Sequence, residues 1–186
     1  MLGVNFHPFV GEKYYNSRYG ARVMVLGESH YGDGIDSAPD FTQYVIQEHA
    51  VKPGLPFFTK LTNVLRGSVD CPTEEERIET WKHVAFYNYV QEFVGESARI
   101  APTTAMWKAS YAPFLEVVRE LEPNVIVVLG SRLWDNVPNL PPEYPTEWCS
   151  IIHPSSRMAY EPSMAALAES LRKVGGVYPR RETAAL

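Results

Sequence analysis

Four short apolar runs divide the chain, at residues 22–26, 84–87, 124–129 and 149–152. Each is too short for a helix and rich in β-favouring residues, which predicts four strands. The run NVIVVL at 124–129 is almost continuously apolar, as a strand covered on both faces is. Between the runs, helical spacing appears at 40–50, 56–66, 73–82, 113–121 and 162–174, with a short helix after the third strand. The segment 56–66 sets Phe57, Leu61, Val64 and Leu65 near one face. Thr73 with Glu76 three residues later forms a capping-box pattern. Pro113 opens one helix, Pro123 ends it, and Gly175-Gly176 closes the last. This alternation predicts an α/β fold: three layers, α/β/α, around a short, largely parallel four-stranded central sheet. Residues 1–20 read as an irregular aromatic segment and 178–186 as a frayed tail.

A length of 186 residues fits a single domain, 1–186. Hydrophobic residues make up 45% and charged residues 21%, a folded composition. With 17 Lys+Arg against 22 Asp+Glu, the net charge of -5 argues against non-specific coating of nucleic acid. It leaves room for a local grip on DNA. Cys71 and Cys149 are too few for an all-cysteine zinc site or an iron–sulfur cluster. No run approaches the ~18 apolar residues of a membrane span, and the first twenty residues lack a signal-peptide core. The expectation is a cytoplasmic protein with two reduced thiols, no membrane association and no obligate protein partner.

Candidate chemistry gathers where the predicted strands stop. The first runs into Gly27-Glu28-Ser29-His30-Tyr31 and the second into Asn88-Tyr89. The third runs into Gly130-Ser131-Arg132 and the fourth into His153-Pro154-Ser155-Ser156-Arg157. In open α/β sheets the carboxyl ends of the strands form the ligand crevice, so these distant residues are expected to converge.

Those same residues carry a resemblance to the uracil-DNA glycosylase superfamily. Gly27-Glu28-Ser29-His30-Tyr31 resembles its first motif, of the GQDPYH or GxNPG type. Asn88 resembles the asparagine that ends a middle strand, and His153-Pro154-Ser155-Ser156 resembles the late HPS motif. The similarity in order and spacing covers residues 22–174. It implies a DNA glycosylase that flips a damaged or modified base from the stack and hydrolyses its N-glycosidic bond, without metal or cofactor. The implied partner is DNA containing such a base, in base excision repair or in defence against modified foreign DNA.

The resemblance assigns roles that suit the residue types. His153, as a neutral imidazole, would stabilise the departing base anion. Asn88 offers a donor and an acceptor on one planar amide to read a base edge. Phe57 or Phe58 would stack on the flipped base, with the other in the core. Tyr31 would line the pocket wall, and His30 would add a titratable group at its mouth. Ser155, Ser156 and Arg157 would meet the DNA backbone, with Arg157 and Met158 as candidates for the wedge that fills the vacated space. The basic cluster Arg172, Lys173, Arg180 and Arg181 reads as a solvated face.

The chain departs from the family pattern at the third position of the first motif. Ser29 stands where active members carry Asp or Asn to position the water, and a hydroxyl is no general base near neutral pH. His30 stands in place of the family's proline. Three readings stay open. Glu28, Asp33 or Asp36 substitutes as the carboxylate; leaving-group stabilisation alone drives slow turnover; or the domain is a non-catalytic DNA- or base-binding module of the same fold. A nucleoside hydrolase of related fold is a further alternative.

Overall fold

The computed structural model describes residues 1, 3–32, 38–96 and 100–179. Its centre is a five-stranded mixed sheet of order β1-β3-β2-β4-β5. The strands are β1 (Phe9–Val10), β2 (Val23–Gly27), β3 (Val84–Asn88), β4 (Val125–Leu129) and β5 (Glu147–Ile151). β2, β3, β4 and β5 are mutually parallel, as the apolar runs predict. The fifth strand corrects the expected four. β1 pairs antiparallel with β3, Phe9 opposite Phe86 and Val10 opposite Ala85. A strand of two residues carries no alternation that a sequence could display.

Every residue of β2, β3 and β4 is buried. Alternate side chains feed two separate cores, one on each face of the sheet. Val23, Val25, Val84, Phe86, Val125 and Val127 pack with Phe58, Leu61, Val64 and Leu65 of α2 (Pro56–Arg66), with Trp81 of α3 (Glu74–Trp81), and with Leu167 and Leu171 of α7 (Tyr160–Lys173). Met24, Leu26, Ala85, Tyr87, Ile126 and Val128 face the other way. They meet Phe114, Val117, Val118 and Leu121 of α5 (Tyr111–Leu121) and Leu133 of α6 (Ser131–Trp134). Apolar cover on both sides explains why these runs contain so few polar positions.

The helices begin where local chemistry favours them. Thr73 and Glu76 form the expected reciprocal capping box at the start of α3. Pro56 opens α2 at a position that needs no N–H donor. The helical spacing at 40–50 divides into α1 (Phe41–Val45) and one wider π turn, Ile46–Ala50, closed by Val51 N–H donating to Ile46 O. A short α4 (Thr104–Ala109), capped by the Thr103 hydroxyl, precedes α5 and was not foreseen.

The N-terminal segment and residues 177–178 are held more firmly than the sequence suggests. Tyr14 and Tyr19 are fully buried, and their hydroxyls donate to Leu121 O and Leu65 O. Val177 N–H donates to Tyr19 O, and the Tyr178 hydroxyl donates to Val64 O. Residues 177–178 are therefore pinned rather than frayed, because a tyrosine can bury its ring and still satisfy its hydroxyl. Arg180 and Arg181 lie outside the described residues.

The connections position a crevice. β2 leads to α2 and α3 on one face, whereas its neighbours β3 and β4 lead to α5 and α6 on the other. Where chains leave adjacent strands toward opposite faces, open α/β sheets hold their ligands, which here is the carboxyl end of β2.

Candidate active site

Four strand ends meet along this edge. Gly27 lies opposite Asn88 in the register of β2 and β3, and the ladder continues with Tyr89 N–H on Gly27 O and Val90 N–H on Glu28 O, both at 2.9 Å. The Asn88 amide lies directly over Gly27, where any larger residue would collide with Oδ1. Asn88 is buried, and its carbonyl accepts from Gln91 Nε2 at 2.8 Å. Among the described residues no group hydrogen-bonds its amide. Two residues past the end of β2, the Ser29 hydroxyl is buried without a hydrogen-bond partner among the described residues. Buried polar atoms are usually satisfied, so the unspent Ser29 hydroxyl marks capacity for a ligand or water.

Glu28 meets the next strand end. Arg132, in the first turn of α6, grips it with two donors, Nε to one carboxylate oxygen at 2.7 Å and Nη2 to the other at 2.5 Å. The Glu28 side chain is 10% exposed and that of Arg132 48%. Just before α6, Gly130 adopts φ +95°, and a Cβ there would fall 2.9 Å from the His153 Cβ. Only glycine lets β4 turn here with His153 packed against its backbone.

His153 completes the edge. Ser155 N–H donates to its Nδ1 at 3.2 Å, which leaves the ring proton on Nε2. Burial lowers its pKa below the usual imidazole value; the nearby Glu28 carboxylate opposes this and the Arg132 guanidinium adds to it. The ring is therefore neutral at physiological pH, with an N–H to give. The Phe57 ring lies 5.3 Å from the imidazole, centroid to centroid. Lys60, also on α2, donates to Pro154 O at 2.9 Å and Ser156 O at 3.2 Å, which ties the late loop to the helix that carries Phe57.

No family model matches this chain, and no curated protein matches it.

The other expected positions separate clearly. Phe57 is the aromatic at the edge; Phe58 belongs to the core, packed against Trp81 and Phe86. Tyr31 is exposed and faces Arg132 electrostatically. Ser155, Ser156 and Arg157 are exposed on the late loop. Met158 is buried in the core, so it is no wedge. His30 does not sit at a mouth. It is 4% exposed, held edge-on by Phe6 and Phe41, with Nε2 2.9 Å from the Thr42 hydroxyl. Burial there lowers its pKa to about 4, so it stays neutral across the physiological range. Beyond Glu28 the chain has moved toward the N-terminal segment, where His30 bridges to Phe93. Asp33 and Asp36 lie outside the described residues.

Arg132 is the residue whose part in the site was not foreseen. Its place at the end of β4 was legible, but its ion pair joins positions 104 residues apart and depends on the strand order. Two cavities, of about 150 and 310 Å³, lie elsewhere. One is lined by Trp134, Pro138 and Trp148, the other by Arg22, Asn124 and Tyr144. Glu28, Asn88 and His153 line neither. They lie at or just beyond the carboxyl ends of their strands.

Proposed function

We propose that this protein is a DNA glycosylase, hydrolysing the bond between deoxyribose and a flipped-out damaged or modified base. The observation that carries this reading is the neutral His153 imidazole, whose Nε2 proton no described residue accepts, near the Glu28 carboxylate at the carboxyl end of the sheet. As the C1′–N bond breaks, its electron pair moves onto the base and positive charge grows on the sugar. A donor where the anion develops and a carboxylate near the cation lower the barrier at both ends. Water adds hydroxyl to C1′, and its proton goes to the released base.

The remaining groups fit that scheme. The Asn88 amide, which no described residue hydrogen-bonds, can pair with a base edge. The Ser29 hydroxyl orients the water. Phe57 offers a stacking face next to His153. The exposed Ser155, Ser156 and Arg157 meet the phosphates, which an acidic chain can hold through hydroxyl and backbone N–H donors. Repair of deaminated bases and defence against hypermodified foreign DNA both use this chemistry.

One observation favours a second reading, a binding module without turnover. Both oxygens of Glu28 are occupied by Arg132, and Ser29 offers no carboxylate. A panel of single- and double-stranded oligonucleotides carrying uracil, hypoxanthine and modified cytosines separates the two. Alkali-labile breaks at the modified position indicate an enzyme. Intact strands with a retarded band indicate the binding module, and release of bases from free nucleosides alone would sink both. No described helix is long and apolar enough to cross a membrane.

A further inference from the structure

The Arg132–Glu28 fork is the most geometrically specific polar contact along the crevice. Its arginine is fixed from several directions. Leu133, the next residue, is fully buried; Trp134 N–H donates to Gly130 O at 3.1 Å; and Asn136 Nδ2 donates to Arg132 O at 2.8 Å. A guanidinium that meets both oxygens of a carboxylate fixes its plane as well as its charge, which a lysine cannot do. With both oxygens engaged, this carboxylate would have to give up one of the two donors before it could take a proton. What it retains is negative charge at a fixed place.

We infer that Arg132 is a positioning residue that holds Glu28 as a fixed anion beside His153, so that Glu28 acts on the substrate through charge rather than by accepting a proton. This rests on the glycosylase reading for the identity of the group it faces, a sugar gaining positive charge at C1′. It assigns the water to Ser29 and the charge to Glu28, dividing between two residues what one carboxylate would otherwise do. Among the described residues, the titratable groups that act on the pair are His153, from the loop after β5, and Tyr31, which faces Arg132. Lys60 of α2 is occupied by the Pro154 and Ser156 carbonyls.

The test measures kcat and KM of base release by the full chain in wild type, E28Q, R132K and R132Q, with thermal midpoints and the Arg132 Nε–H NMR signal alongside. E28Q keeps the shape and removes the charge, and is expected to lower kcat roughly ten- to hundredfold with KM little changed. R132K keeps a positive charge but not the two-donor fork, and is expected to lower kcat by a similar factor at an unchanged thermal midpoint. An R132K or E28Q protein with full kcat overturns the inference, and so does a solvent deuterium isotope effect on kcat in wild type that vanishes in E28Q, because Glu28 would then be accepting a proton. If R132Q does not fold, R132K decides. The Arg132 Nε–H signal needs no substrate: protected from exchange in wild type and lost in E28Q, it establishes the fork even if the wild type releases no base, which refutes the enzyme reading alone, whereas a signal as exchangeable in wild type as in E28Q refutes the fork.

Discussion

The corner around His83 and the edge around His153 hold the same kinds of group: an imidazole, a carboxylate and a cation. They differ in what is left unspent. At the corner, Arg18 N–H donates to His83 Nδ1 and His83 Nε2 donates to Glu79 Oε1, each at 3.0 Å. Lys13 donates to the same oxygen at 2.8 Å. These two donors hold the Glu79 pKa down at about 2. Burial lowers the His83 pKa, and both ring nitrogens are engaged. At the edge, among the described residues, one nitrogen of His153 is engaged, the Ser29 hydroxyl has no hydrogen-bond partner, and no group hydrogen-bonds the Asn88 amide. A polar cluster that saturates itself strengthens the fold. One that leaves donors facing a crevice keeps them for something else.

Substitutions that open one region and spare the other test this contrast. The largest effect is expected for His153→Ala, which removes the donor from the departing base. Base release should fall roughly 10²–10³-fold, while the thermal midpoint stays near wild type because the side chain is only half-buried. A matched loss of stability would place His153 with the structural histidines instead. Asn88→Ala should act next. Competition between modified-base oligonucleotides should show the preferred base losing about 1–3 kcal/mol of advantage, since its polar edge is left unpaired; unchanged ranking would remove Asn88 from recognition. His83→Ala is the control from the closed corner. Chemical denaturation should report about 1–3 kcal/mol of lost stability, with turnover per folded molecule unaltered. Slowed turnover there would erase the distinction between the two regions.

The parts legible in the sequence are those fixed by local rules. The four apolar runs foretold β2 to β5 to within about two residues; β2, β3 and β4, buried along their whole length, leave no room for polar interruption, whereas the half-exposed β5 is the one displaced by two residues. Pro56 and Gly67 bracket α2, and the Thr73–Glu76 pair marks the start of α3. The placement of Glu28, Asn88 and His153 at the carboxyl end of the sheet was legible because each lies at, or within two residues of, the end of an apolar run. What escaped depends on distant partners. β1 exists only because β3 offers an edge to it, and Arg132 matters only because strand order places it against Glu28. His30 sits two residues from Glu28 yet belongs to an aromatic enclosure built by Phe6, Phe41 and Phe93. Adjacency in a motif does not fix the direction in which a chain leaves it.

The strand order also bears on self-association. The sheet ends at β1 and β5, and an unpaired border is where one copy could add to another as in a fibril. β1 is two residues long, between Pro8 and Gly11. β5 opens with Glu147, which is paired with Lys173, and the chain around it carries Pro145 before and Pro154 after. Brevity guards one border, and a charge flanked by prolines guards the other, so neither presents a long bare ladder for a second molecule to extend.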